Sequence, residues 1–207
     1  MSLSVKTRIY FGLKDKIIKY LPVLFLLSLS IWNCAGSTFQ KMANENPASL
    51  LAKKDSLQRA GSFSPALKKA FVTAHNSVGQ TDLESKDYTS ALQHFKASAQ
   101  LAPDDTLTNY NLLLIKGHLL VKAGKKDGLW DAIQNYHSAA RLFPKLGDPY
   151  YYIGNAYLKI GNTDFDLILE SYDKALTLTL SPVIQDDVTA AREKAIQREK
   201  TLKDFWK

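Results

Sequence analysis

The sequence predicts an all-α protein built from repeats, on three observations. Four times a capping residue precedes proline, at Asn46-Pro47, Ser64-Pro65, Asp148-Pro149 and Ser181-Pro182. Each pair is the expected opening of a helix, whose first turn has no use for the N–H that proline lacks. Gly61, Gly124 and Gly161 stand where such helices should stop. The pattern Ala91-x3-Phe95-x2-Ser98-x4-Pro103 recurs as Ala132-x3-Tyr136-x2-Ala139-x4-Pro144, and more loosely as Ile168-x3-Tyr172-x2-Ala175, at offsets of 41 and 36 residues. No stretch alternates apolar and polar residues long enough to make a strand.

Taken in order, residues 1–33 read as a signal peptide, to be set aside before fold reasoning. Lys6, Arg8, Lys14, Lys16 and Lys19 form a basic region with Asp15 as its only acid, and residues 21–32 are an apolar run of twelve. A spanning helix needs roughly 20 apolar residues, and Lys19 and Asn33 cut this run short. It ends at Cys34, the only cysteine in the chain, so disulfides play no part.

The stretch Leu29-Ser-Ile-Trp-Asn-Cys34 resembles a bacterial lipoprotein signal, in which the thiol is diacylated and becomes the new N-terminus. Trp32 and Asn33 depart from the small residues usual there. The alternatives are an uncleaved anchor completed by Ile17 and Ile18, or cleavage elsewhere. The resemblance implies a bilayer tether, since acyl chains bury about 0.8 kcal/mol per methylene. Ala35, where an Asp would favour inner-membrane retention, leans the address outward. Residues 1–33 hold five of the 27 basic and one of the 20 acidic residues, so the net charge of +7 falls to +3 without them. No nucleic-acid footprint is left.

Residues 34–46 are small and polar and suit a flexible, lipid-anchored tether. In residues 47–71, Leu50, Leu51 and Leu57 share one face of a helix expected over 47–60. With Leu67, Ala70 and Phe71 of the next, it should cover one end of the repeats. Residues 182–207 should cover the other end. There Ile184, Val188, Ala191 and Ala195 form an apolar stripe opposite a solvated run of charges, and Phe205 and Trp206 are expected to pack back.

Residues 72–181 carry the repeats. Upstream of the second helices, Tyr150-x2-Ile153-Gly154-x2-Tyr157 is matched partially by His75-x2-Val78-Gly79 and faintly by Asn109-x2-Leu112. Together these positions resemble the tetratricopeptide repeat, with its aromatic, Leu-Gly and Tyr on a first helix and Ala, aromatic, Ala and Pro on a second. The resemblance implies an antiparallel helix-hairpin solenoid of about three repeats with capping helices at both ends. Gly79 and Gly154 would let paired helices approach, and Phe95, Tyr136 and Tyr172 would fill the gap toward the next repeat. Pro103 and Pro144 would end the second helices. Seven extra residues in the second repeat, through 106–128, and two in the third, around 162–164, depart from a 34-residue period.

No catalytic constellation is legible. His75, His94, His118 and His137 are dispersed without metal-ligand spacing, and phosphate-binding or nucleophile motifs are absent from the sequence. The expectation is therefore no enzyme, no cofactor and no metal. In tetratricopeptide solenoids the first helices line a groove. Carrying those positions over gives Asn76, Gln80, Tyr110, Tyr151, Asn155 and Lys159 as peptide contacts, against an ordinary polar surface as the alternative. The basic residues of a carboxylate clamp are largely missing. The implied role is a membrane-tethered interaction module or scaffold in the bacterial cell envelope, facing the periplasm, with a protein or peptide partner. A structural subunit of an envelope complex is the other reading.

Overall fold

The computed structural model describes residues 38–59, 64–161 and 164–206. The signal peptide, Cys34, Gly61 and the core of the third-repeat insertion lie outside them. Among the described residues every regular element is an α-helix, and the only β-type pairing is an isolated bridge between Leu146 and Thr179. The chain divides into two compact units, Met1–Ala70 and Phe71–Lys207.

In the first unit, residues 38–45 are helical (α1), where the sequence reading expected a loose tether. The run Gln40-Lys41-Met42-Ala43-Asn44-Glu45 contains neither Gly nor Pro, and all but Asn44 are good helix formers. An i,i+4 pair, Lys41 with Glu45, lies on its surface. Polar composition therefore marked an exposed helix face, not a flexible segment. The helix expected over 47–60 is broken at Lys53 into α2 (Pro47–Ala52) and α3 (Lys54–Arg59). Asn46 caps α2 through Ser49 N at 3.1 Å, and Ser64 caps α4 (Pro65–Glu84) through Leu67 N at 3.2 Å. Both are the proline-led starts that the sequence predicts.

The second unit continues α4 and adds α5 (Tyr88–Leu101), α6 (Thr106–Ala123), α7 (Lys126–Leu142), α8 (Asp148–Ile160), α9 (Phe165–Leu176) and α10 (Gln185–Phe205). Short connections make successive helices antiparallel neighbours, and from α5 onward each packs on the next. The result is an all-α helix-hairpin solenoid with hairpins α4–α5, α6–α7 and α8–α9, closed at its C-terminal end by α10. Gly124, at φ 69°, closes α6 in the left-handed conformation open to glycine. Pro103 and Pro144 follow the C-caps Ala102 and Phe143. Pro182 is a correction, because α10 starts three residues later, at Gln185, and residues 182–184 form a turn.

A glycine in the first helix of each hairpin receives an aromatic ring from the second. A Cβ on Gly79 would lie 2.7 Å from Phe95, one on Gly117 2.4 Å from Tyr136, and one on Gly154 2.5 Å from Tyr172. The other side of each ring meets the following helix. Phe95 clusters with Ile115, Tyr136 with Ile153, and Tyr172 with Ile184 and Val188. Each aromatic is thus a bolt through three helices, wider than the gap-filling role expected of it.

Gly117 also corrects the frame of the second repeat. It lies 15 residues before Ala132, against 12 from Gly79 to Ala91, and 14 after Pro103, against ten from Pro144 to Gly154. The insertion is therefore split between a longer α6–α7 turn and an extra turn at the start of α6.

Candidate functional site

The first helices α4, α6 and α8, with the 179–187 segment, line two clefts of about 410 and 570 Å3. The clefts share Gln80, Tyr110, Asp148 and Ser181 and so form one groove with two lobes. The 179–181 stretch is strapped in place. Gly147 N donates to Thr179 O at 2.8 Å, Thr179 N to Lys145 O at 3.0 Å, and Ser181 N to Asp148 Oδ1 at 2.9 Å. Asp148 thus holds the far wall of the groove and does not cap its own helix.

The smaller lobe has an aromatic floor. His118 packs edge-on against Tyr152 at 4.4 Å and stacks on Tyr88 at 5.4 Å, and its Nδ1 lies 2.9 Å from Tyr136 Oη. Burial drives the His118 pKa down to about 4, so the imidazole is neutral at pH 7. Burial pushes the phenols of Tyr110, Tyr136 and Tyr152 upward, and they stay protonated.

The larger lobe rests on a directed hydrogen-bond chain. Asn111 Nδ2 donates to Asn76 Oδ1 at 3.4 Å, and Asn76 Nδ2 donates to Ser98 Oγ at 3.3 Å and Thr108 Oγ1 at 2.9 Å. Thr108 spends its one proton on Asp105 Oδ1 at 2.6 Å. Ser98 is therefore the donor in its 2.9 Å contact with Thr108.

The six residues expected to face a peptide fare differently. Gln80, Tyr110, Tyr151 and Asn155 line the groove. Asn76 lines the larger lobe but is only 6% exposed, with its amide committed to the chain above. Asn155 Oδ1 accepts from the Tyr172 phenol at 2.8 Å. Lys159 lines neither lobe, and its ammonium reaches across to Val121 O at 3.0 Å. Glycine spacing shows what sequence reasoning missed. The places of Asn76 and Gln80, three before and one after their glycine, are taken in the second repeat by Leu114 and His118. Tyr110 reaches the groove from the extra turn of α6. Gly117 was the signal for this frame, hidden because Lys116 and Leu113 replace the usual Leu and aromatic beside it.

Dispersed in sequence, two histidines meet across the first hairpin, with His75 Nδ1 and His94 Nδ1 3.1 Å apart. Among the described residues no set of three His, Cys, Asp or Glu side chains is placed to hold a metal. Phe205 and Trp206, expected to pack on the last repeat, are instead 78% and 81% exposed, with their rings edge-on to each other at 5.5 Å.

No established family profile matches the chain, and no curated protein matches it. Among solved structures it is similar to MamA, residues 41 to the end, from Desulfovibrio magneticus RS-1. That alignment has 18% identity, covers 76% of this chain and 97% of the other, and has a TM-score of 0.39. The hairpin solenoid is assigned from the packing described above.

Proposed function

We propose that the chain is a non-catalytic protein–protein interaction module of the tetratricopeptide type, capturing an extended segment of a partner in the groove of its first helices. The two-lobed groove carries this reading, because its volume and mix of aromatic and polar walls suit a peptide. We place it in the bacterial cell envelope, tethered through diacylated Cys34 and facing the periplasm. The tether would confine the search for a partner to a membrane surface.

Two measurements test the two halves. With p-benzoylphenylalanine in place of Gln80, irradiation of cells should yield a partner adduct that the same replacement at Gln134, on α7, does not. Equal adducts from both, or none from either, sink the groove. The mass of the mature N-terminal peptide, in the native chain and in Cys34→Ala, should show acylation that the variant loses. Retention of residues 1–33 sinks the lipid anchor.

A structural-subunit reading has one observation in its favour, the exposed Phe205–Trp206 pair at the end of α10. It predicts that co-purification survives groove substitutions but not removal of residues 205–207.

A further inference from the structure

Within the proposed groove the larger lobe, unlike the smaller, sets its acids among apolar walls with no cationic side chain beside them, and that names a ligand. Its lining contains Asp105 and Asp148 and no Lys, Arg or His. Apolar walls come from Leu107, Leu180 and the ring of Tyr110. Leu107 is 48% exposed and adds accessible aliphatic surface to this wall.

Both carboxylates are held by one oxygen. Asp105 Oδ1 accepts from Thr108 N at 2.8 Å and from the Thr108 hydroxyl, and Asp148 Oδ1 accepts from Ser181 N. Among the described residues no protein group bonds either Oδ2, and neither acid is ion-paired. Such acids, fixed by the backbone and flanked by aliphatic and aromatic surface, complement a side chain with an apolar stem and a cationic head. The Tyr110 ring adds a face attractive to the same charge.

Resting on the groove reading above, we infer that the larger lobe is a specificity pocket for a Lys or Arg side chain of the bound peptide. The stem would lie along Leu107 and Leu180, and the head would pair with Asp105 and Asp148. The lobe, at about 570 Å3, has room for that side chain and its flanking residues. The smaller lobe, where Lys86 stands among Glu84, Asp148 and Asp187 and aromatic rings form the floor, would take the neutral or aromatic neighbours.

The test uses the full-length protein in mild detergent and fluorescein-labelled nonapeptides of one neutral sequence, with Lys, Arg, norleucine or Glu at the centre. Fluorescence polarisation should show the Lys and Arg peptides binding about tenfold tighter than norleucine, and Glu weakest. Asp105→Asn and Asp148→Asn keep the Oδ1 acceptor, and Asn is an equally good cap. Each should reduce the Lys preference several-fold and the double variant should abolish it, while a cooperative circular-dichroism melting transition shows that the variants remain folded. Equal binding of Lys and norleucine, a preference for Glu, or a Lys preference untouched by the double variant overturns the pocket. So does failure of every peptide to bind. If the Gln80 adduct is still formed in any of those cases, the groove reading stands and only the cationic pocket falls. If the adduct is absent too, both fall.

Discussion

The two junctions between hairpins solve the same packing problem with different chemistry. Ser98, Ala139 and Ala175 occupy equivalent places in the three second helices, and all are fully buried. At the first junction Ser98 joins the chain from Asn111 through Asn76 and Thr108 to Asp105. At the second, Ala139 lies among Tyr110, Leu114, Ile153 and Ala156, without a polar partner. The first junction is specified by directed bonds, each member needing the next, whereas the core of the second is filled by volume, and the bond from Lys159 Nζ to Val121 O lies at its exposed rim. The polar junction also places Asp105 in the groove, so at that end stability and recognition draw on the same residues.

The largest expected effect breaks the apolar junction. Ile153, 1% exposed, packs against the Tyr136 cluster. Ile153→Ala should cost about 3 kcal/mol in urea unfolding, from lost burial and the cavity left behind. A loss under about 1 kcal/mol would mean that α8 can collapse onto α6, which the close-packed reading excludes.

Acid should also act on the second junction. His118, against Tyr152 of α8, has its pKa lowered by burial to about 4, from an ordinary 6.5. Between those values the unfolded chain binds a proton that the folded chain refuses, so stability falls as pH drops from about 6.5 through 4. The loss from this group should be about 2 kcal/mol at pH 5. His118→Asn removes the titrating group and leaves a polar atom near the Tyr136 phenol. The wild-type and variant curves should diverge between pH 7 and 5, and parallel curves would falsify the assignment.

Next comes the feature common to both junctions, the glycine under each ring. An exposed helical Gly→Ala change normally gains up to about 1 kcal/mol. At Gly128 the new methyl meets Leu120 at 3.6 Å and Lys125 Cβ at 3.9 Å, ordinary contacts, and Gly128→Ala should raise the melting temperature. At Gly117 it meets three atoms of the Tyr136 ring between 2.4 and 2.9 Å. Overpacking should win there, for a net loss of about 2 kcal/mol. The opposite signs of two chemically identical changes are the measurement.

The hairpins were legible because caps, prolines and the Ala–aromatic–small spacing are local features of the second helices. What was illegible has physical causes. The second repeat's first helix carries Lys116 where the pattern has Leu, so Gly117 did not announce itself. Residues 38–45 looked like a tether because a polar helix and a polar coil share composition. The site residues were found by position but not by state. Spacing placed Asn76 and Asn155 on the groove face, yet nothing local says that Ser98, 22 residues away in the chain, or Tyr172 would already hold those amides. Asp148 was read only as a helix start because its partner, Ser181, lies 33 residues on.

The smallest effect exchanges the two junctions' chemistry. Ser98→Ala removes an acceptor from Asn76 and a donor to Thr108, but Asn76 and Thr108 still bond each other at 2.9 Å. One N–H of the Asn76 amide loses its partner, and the cost should be about 1 kcal/mol. Ala139→Ser puts a hydroxyl into the apolar junction, where its one ready acceptor is the carbonyl a turn earlier in its own helix. That bond softens the penalty without removing it, so the loss should be about 1 to 2 kcal/mol. Adding Asn76→Leu to Ser98→Ala should cost less than the sum of the single changes, because the second substitution removes the amide that the first left unsatisfied. Strict additivity in that cycle would show that Ser98 and Asn76 stabilise the junction independently. The contrast between a directed and a volume-filled junction would then reduce to one of side-chain size.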